Sequence, residues 1–159
     1  MKKSILALLF LSYTATGMAA PKNEFVKTYS TKGDFTVVRD ALVSAVEGRG
    51  LKINHINHIS EMLARTGKDI GVNKQVYVNA EQLEFCSATL SRSMMEADPH
   101  NIVACPYSIA VYNLPAEPNL IYISYRKPPT LKAANSQATF KQVDKLLGDI
   151  IAEGIDLSK

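Results

Sequence analysis

Tyr107-Ser108-Ile109-Ala110-Val111-Tyr112, a turn over Pro115 to Asn119, then Ile121-Tyr122-Ile123-Ser124-Tyr125-Arg126: this stretch decides the fold. In each half, every second residue is apolar, the pattern of a strand with one buried face. Two such strands with a short turn between them read as an antiparallel hairpin. Pro128-Pro129 then breaks the sheet, because proline offers no N–H to a ladder. Beyond it, Phe140, Val143, Leu146, Leu147, Ile150 and Ile151 recur at helical spacing, which predicts a closing helix from Asn135 or Ser136 to Ile151.

Upstream of the hairpin, Phe25, Val26 and Tyr29 mark a first strand over Glu24 to Thr31. Asp34 stands where it caps a helix carrying Phe35, Val38, Leu42, Ala45 and Val46, ended by Gly48 and Gly50. A strand from Leu51 toward His58, a short helix from Ser60 to Arg65 stopped at Gly67, strand character in Val76-Tyr77-Val78 and in Leu83-Glu84-Phe85-Cys86, and a helix from Ser87 to Ala97 complete the reading. The order β-α-β-β-β-β-α predicts one α+β domain, mainly antiparallel, with helices on one side of the sheet. No repeat, low-complexity tract or internal linker interrupts it.

The N-terminus reads as a signal peptide. Met1-Lys2-Lys3 is followed by an apolar stretch from Ile5 to Leu11 and small residues up to Ala19-Ala20-Pro21, with cleavage expected after Ala19 or Ala20. Residues 1–19 are thus the expected leader and residues 20–159 the domain, with a periplasmic or secreted location. Of 18 basic and 15 acidic residues, Lys2 and Lys3 leave with the leader, so 16 against 15 remain and the net charge falls from +3 to +1. Scattered lysines and arginines with so small an excess argue against a nucleic-acid partner. No later apolar run has the length of a membrane span. A domain of this size buries a core without needing disulfides or a metal.

Ile56-Asn57-His58, Phe85-Cys86-Ser87-Ala88, Met94-Met95, Asp98-Pro99, Cys105-Pro106-Tyr107 and Tyr125-Arg126-Lys127-Pro128 together resemble the domain-of-unknown-function 302 family, from about Phe25 to Pro128 and through the last helix. The chain looks like a cysteine-bearing exported branch of it. The resemblance implies a TATA-binding-protein-like α+β fold and a homodimer, and no established reaction. Where the family has Ile-Asp-His, this chain has Asn57 in place of the acid. Where many members have glycine and leucine, it has Cys86 and Cys105.

Those two cysteines are the only ones. Across the eighteen residues between them, a disulfide would constrain the unfolded chain by about 3 kcal/mol. The other reading keeps both as thiols, Cys86 with a pKa lowered by the helix that follows it. Soft sulfur with imidazole is what copper(I) or a haem iron accepts, so Cys86, Cys105, His58 and Met94 form the candidate ligand set. His58 is the strongest single candidate, standing at a strand end and matching the family pattern. A general acid/base role there needs a nearby carboxylate, for which Asp69 and Glu84 are the candidates. Tyr122, Ser124 and Arg126 share the strand face opposite the apolar one, a dimer surface or ligand wall. No nucleophile elbow, phosphate loop, Cys-x-x-Cys or Cys-x-x-Cys-His occurs. The expected function is therefore a non-enzymatic module that binds a small ligand or protein partner through the sheet face and a pocket near His58 and Cys86. The alternative is a metal, haem or thiol-redox protein on Cys86, Cys105 and His58.

Overall fold

The computed structural model describes residues 23–159, and the expected leader and its cleavage site lie outside them. Five strands, β1 (Val26–Lys32), β2 (Lys52–His58), β3 (Asn79–Cys86), β4 (Tyr107–Leu114) and β5 (Glu117–Arg126), form one sheet in the order β1-β5-β4-β3-β2, antiparallel throughout. The hairpin is β4–β5, with Val111 opposite Ile123 and Tyr112 opposite Tyr122. Because β1 and β2 occupy opposite edges, the helix joining them, α1 (Phe35–Glu47), has to cross the sheet. Asp34 accepts the N–H groups of Thr36 at 2.8 Å and Val37 at 3.1 Å, which fixes where α1 starts.

Register sorts the side chains into two faces. Leu83, Phe85, Tyr107, Ile109, Val111, Ile121, Ile123 and Tyr125 point to one side and are buried. Val38, Leu42, Ala45 and Val46 of α1, Met94 of α3 (Ala88–Ala97) and the stripe of α4 (Ala134–Leu157) cover them to form the core. Ser108, Ala110, Tyr112, Tyr122 and Ser124 point the other way. The α+β fold with helices on one side is what the alternation dictates. On α4, a Cβ at Gly154 would lie 2.7 Å from Leu42 Cδ2. The absent side chain lets α4 seat directly on α1.

Several boundaries differ from the sequence reading: β3 starts at Asn79 and β5 at Glu117, inside the expected turn, and three segments depart further. A helix α2 runs over Ile59–Asp69, straight through Gly67. Gly67 is required by close approach: a Cβ there would lie 2.7 Å from the Val72 carbonyl oxygen, where the chain reverses through Gly71 at φ +71°. Val76-Tyr77-Val78 is no strand; its Tyr77 ring packs edge-on to Tyr112 at 5.5 Å, Val78 N–H donates to the Asn113 carbonyl at 3.0 Å, and the ladder itself starts at Asn79. The last helix continues six residues past Ile151 to Leu157, carried by the contact of Gly154 with α1. Among the described residues no helix is long and apolar enough to cross a membrane.

Candidate functional site

Where β5 ends, Pro128-Pro129 turns the chain away from the sheet, and residues 127–131 span the gap to α4. Lys127 N–H donates to the Phe25 carbonyl at 3.0 Å and Leu131 N–H to Gln137 Oε1 at 2.5 Å, which pins both ends of this strap. A 3-10 segment, Pro99–Ala104, forms the facing wall. It is held by buried Asn101, whose amide donates to the Met94 carbonyl at 2.9 Å and to Ser136 Oγ at 3.2 Å. Between these walls lies a cleft of about 710 Å³. Phe140, Val143 and Leu147 of α4 and Leu131 of the strap make its floor apolar, while Arg126 and Lys127 are exposed at its rim with Glu24 beside them. Cationic groups at the mouth of an apolar cleft suit a molecule with an apolar body and an anionic end.

The two cysteines come together behind one wall of that cleft. Cys86 ends β3 and Cys105 stands just before β4, and since Phe85 pairs with Tyr107, the end of the ladder sets them side by side. Both are free and half-buried. Cys105 Sγ donates to Ser91 Oγ at 3.2 Å, and Ser91 Oγ is 3.3 Å from the Tyr107 hydroxyl. Burial, then the charge and hydrogen bond of Cys105, push the Cys86 thiol up, against the opposing pull of the Tyr107 backbone N–H. This corrects the expectation of a lowered pKa. Ser87, not Cys86, caps α3, its hydroxyl accepting Leu90 N–H at 3.4 Å, so the field of the helix end falls on the serine.

His58 ends β2, beside the far end of β3 from the cysteines. It is the register partner of Glu81, five residues before Cys86 on β3, so roughly 17 Å of strand separates His58 from the thiols. A common pocket for His58 and Cys86, and a joint ligand set of Cys86, Cys105 and His58, are therefore not built. Met94 is fully buried in the core and presents no ligand to solvent. Among the described residues no three of His, Cys, Asp and Glu cluster as metal ligands. The carboxylate near His58 is Glu81, neither Asp69 nor Glu84: His58 Nδ1 lies 3.3 Å from Glu81 Oε1, and Glu81 Oε2 lies 3.4 Å from Arg39 Nη1. Glu84 instead accepts from Asn57 Nδ2 at 2.8 Å.

Tyr122 and Ser124 lie on the face opposite the core. Tyr122 stacks on Tyr112 at 5.4 Å and donates its hydroxyl to Glu117 Oε2 at 2.5 Å. Ser124 is buried, its hydroxyl within 2.9 Å of Thr28 Oγ1 and 3.3 Å of the Tyr112 hydroxyl. Arg126, at the end of the strand, belongs to the rim of the cleft. The sequence reading missed the cleft because its walls come from four separated segments. The available signal was the proline pair between strand and helix.

The family model described as "Domain of unknown function DUF302" matches residues 26–154. A solved structure described as the uncharacterized conserved protein DUF302 from Bacillus stearothermophilus superposes with a TM-score of 0.68 at 15% identity, over 82% of this chain and 98% of that one. At that identity the likeness is one of fold. No curated protein matches.

Proposed function

The chain belongs to the DUF302 family of domains of unknown function, and from that premise we propose that this member is a non-enzymatic binding module whose cleft between α4 and the 127–131 strap takes a small ligand with an apolar body and an anionic end. Family membership brings a fold and no chemistry, so the cleft is the observation that carries the reading. Its volume of about 710 Å³ lies in the range that accommodates drug-sized molecules. Each methylene of a ligand buried on its floor adds about 0.8 kcal/mol. Arg126 and Lys127 then select for a negative end, an attraction that salt screens because both are exposed.

The proposed setting is outside the cytoplasm, which rests on the leader reading of residues 1–19, with residues 20–159 as the mature chain. A homodimer, implied by the family resemblance, belongs to the same proposal, and equilibrium sedimentation distinguishes it from a monomer.

Titration with 1-anilinonaphthalene-8-sulfonate, an apolar probe with one sulfonate, tests the cleft. Saturable one-to-one binding is expected, weakened about tenfold by Arg126→Ala with Lys127→Ala and abolished by Ala104→Phe, which fills the cleft from the 3-10 wall. Binding that is unsaturable, or indifferent to Ala104→Phe in a variant with unchanged circular dichroism, would refute the proposal.

A further inference from the structure

We propose that Cys86 and Cys105 form a two-thiolate site for a thiophilic monovalent d¹⁰ cation of the copper(I) class, separate from the cleft and independent of His58. The donor set argues for this class. The Phe85–Tyr107 pairing brings the segments that carry the two sulfurs together at the end of the ladder, with a serine and a tyrosine hydroxyl as polar neighbours, and no imidazole or third acidic ligand completes a cluster among the described residues. Zinc asks for four ligands and calcium for six or more oxygens. A monovalent d¹⁰ ion is satisfied by two soft sulfurs in line, and thiolates select for it.

The surroundings hold the pair in place for that task. Cys86 is fixed by the end of β3 and Cys105 by the end of the 3-10 segment, and α3 joins the site through Ser91, which accepts from the Cys105 thiol. In the resting pair, Ser91 Oγ accepts from the Cys105 thiol. When that thiol loses its proton, the same hydroxyl rotates to donate to the thiolate, because a hydroxyl is both donor and acceptor. The balance is two thiols and one cation giving one bis-thiolate complex of charge −1 and two released protons. No electrons move, so no oxidant or reductant takes part in the step.

The experiment is anaerobic transfer of copper(I), kept reduced by ascorbate, from the chromogenic chelator bicinchoninate to the reduced, mature chain. One equivalent is expected to leave the chelator. Cys86→Ser and Cys105→Ser should each lower the affinity at least a hundredfold, and His58→Ala should leave it unchanged. X-ray absorption of the loaded protein should show sulfur neighbours alone. Binding of the naphthalene sulfonate by both serine variants checks that they are folded and separates this proposal from that of the cleft. A reduced protein with two alkylatable thiols that leaves all copper on the chelator overturns the inference, as does nitrogen coordination or a loss of binding in His58→Ala.

Discussion

Two glycines of α4 should respond to alanine with opposite signs. In a helix interior alanine is favoured over glycine by about 1 kcal/mol. At Gly148 a new Cβ would lie 3.4 Å from the Tyr29 hydroxyl and 3.9 Å from that of Tyr125, ordinary contact distances, so most of the gain should survive. At Gly154 the new Cβ would meet Leu42 Cδ2 at 2.7 Å, Cγ at 3.1 Å and Cα at 3.2 Å. Leu42 is fully buried and its Cα belongs to α1, so relief requires the two helices to part. Overpacking of this kind costs about 1 to 3 kcal/mol, which exceeds the propensity gain. Gly148→Ala should therefore stabilise by up to about 1 kcal/mol, and Gly154→Ala should destabilise by about 1 kcal/mol net. Urea unfolding followed by circular dichroism reads both from the midpoint at constant slope. If Gly154→Ala stabilises the protein as Gly148→Ala does, the reasoning about the α1–α4 contact is wrong. Because α4 also carries Phe140, Val143 and Leu147 of the cleft, Gly154→Ala should weaken binding of the naphthalene sulfonate while Gly148→Ala leaves it intact.

Asp34→Ala removes the cap of α1 and should cost about 1 kcal/mol in the same assay. Glu81→Ala removes the carboxylate that lies between Arg39 and His58 and should cost about 1 to 3 kcal/mol; a cost within error of zero would mean that the carboxylate is carried by solvent. The alkaline limit of stability follows from groups whose protons the fold retains. Burial raises Cys86, Tyr107 and Tyr125, with the Asp144 carboxylate adding to the effect at Tyr125. Their contribution is fully present below the unfolded values, about 8.5 for cysteine and 10 for tyrosine, and is lost as pH rises through the folded ones. Unfolding midpoints should hold from pH 7 to 8 and fall by pH 10.5; a rise over that interval would contradict the assignment.

The hairpin was legible because alternation along Tyr107–Tyr112 and Ile121–Arg126 has one structural meaning, a strand buried on one face. The cap at Asp34 was legible because it is local. Gly67 was not: nothing in the sequence says that Val72 returns to within contact of it. The same limit governs the sites. Sequence paired the cysteines with His58 by chemistry alone, whereas register places Cys86 beside Cys105 and His58 beside Glu81 at the other end of β3. Glu81 escaped notice because a cross-strand partner lies 23 residues away in the chain. The cleft escaped because Phe25, Ala104, Leu131 and Val143 share no motif, only a place in the fold.

The most direct test of the cleft is the amide and methyl spectrum of the isotopically labelled protein, titrated with the naphthalene sulfonate. Progressive shifts at Ala104, Leu131, Val143 and Leu147 that saturate at one equivalent, with Tyr122 and Ser124 unmoved, are the predicted result. Shifts centred on Tyr112, Tyr122 and Ser124, or none that saturate, would contradict the account and move the binding surface to the opposite face of the sheet.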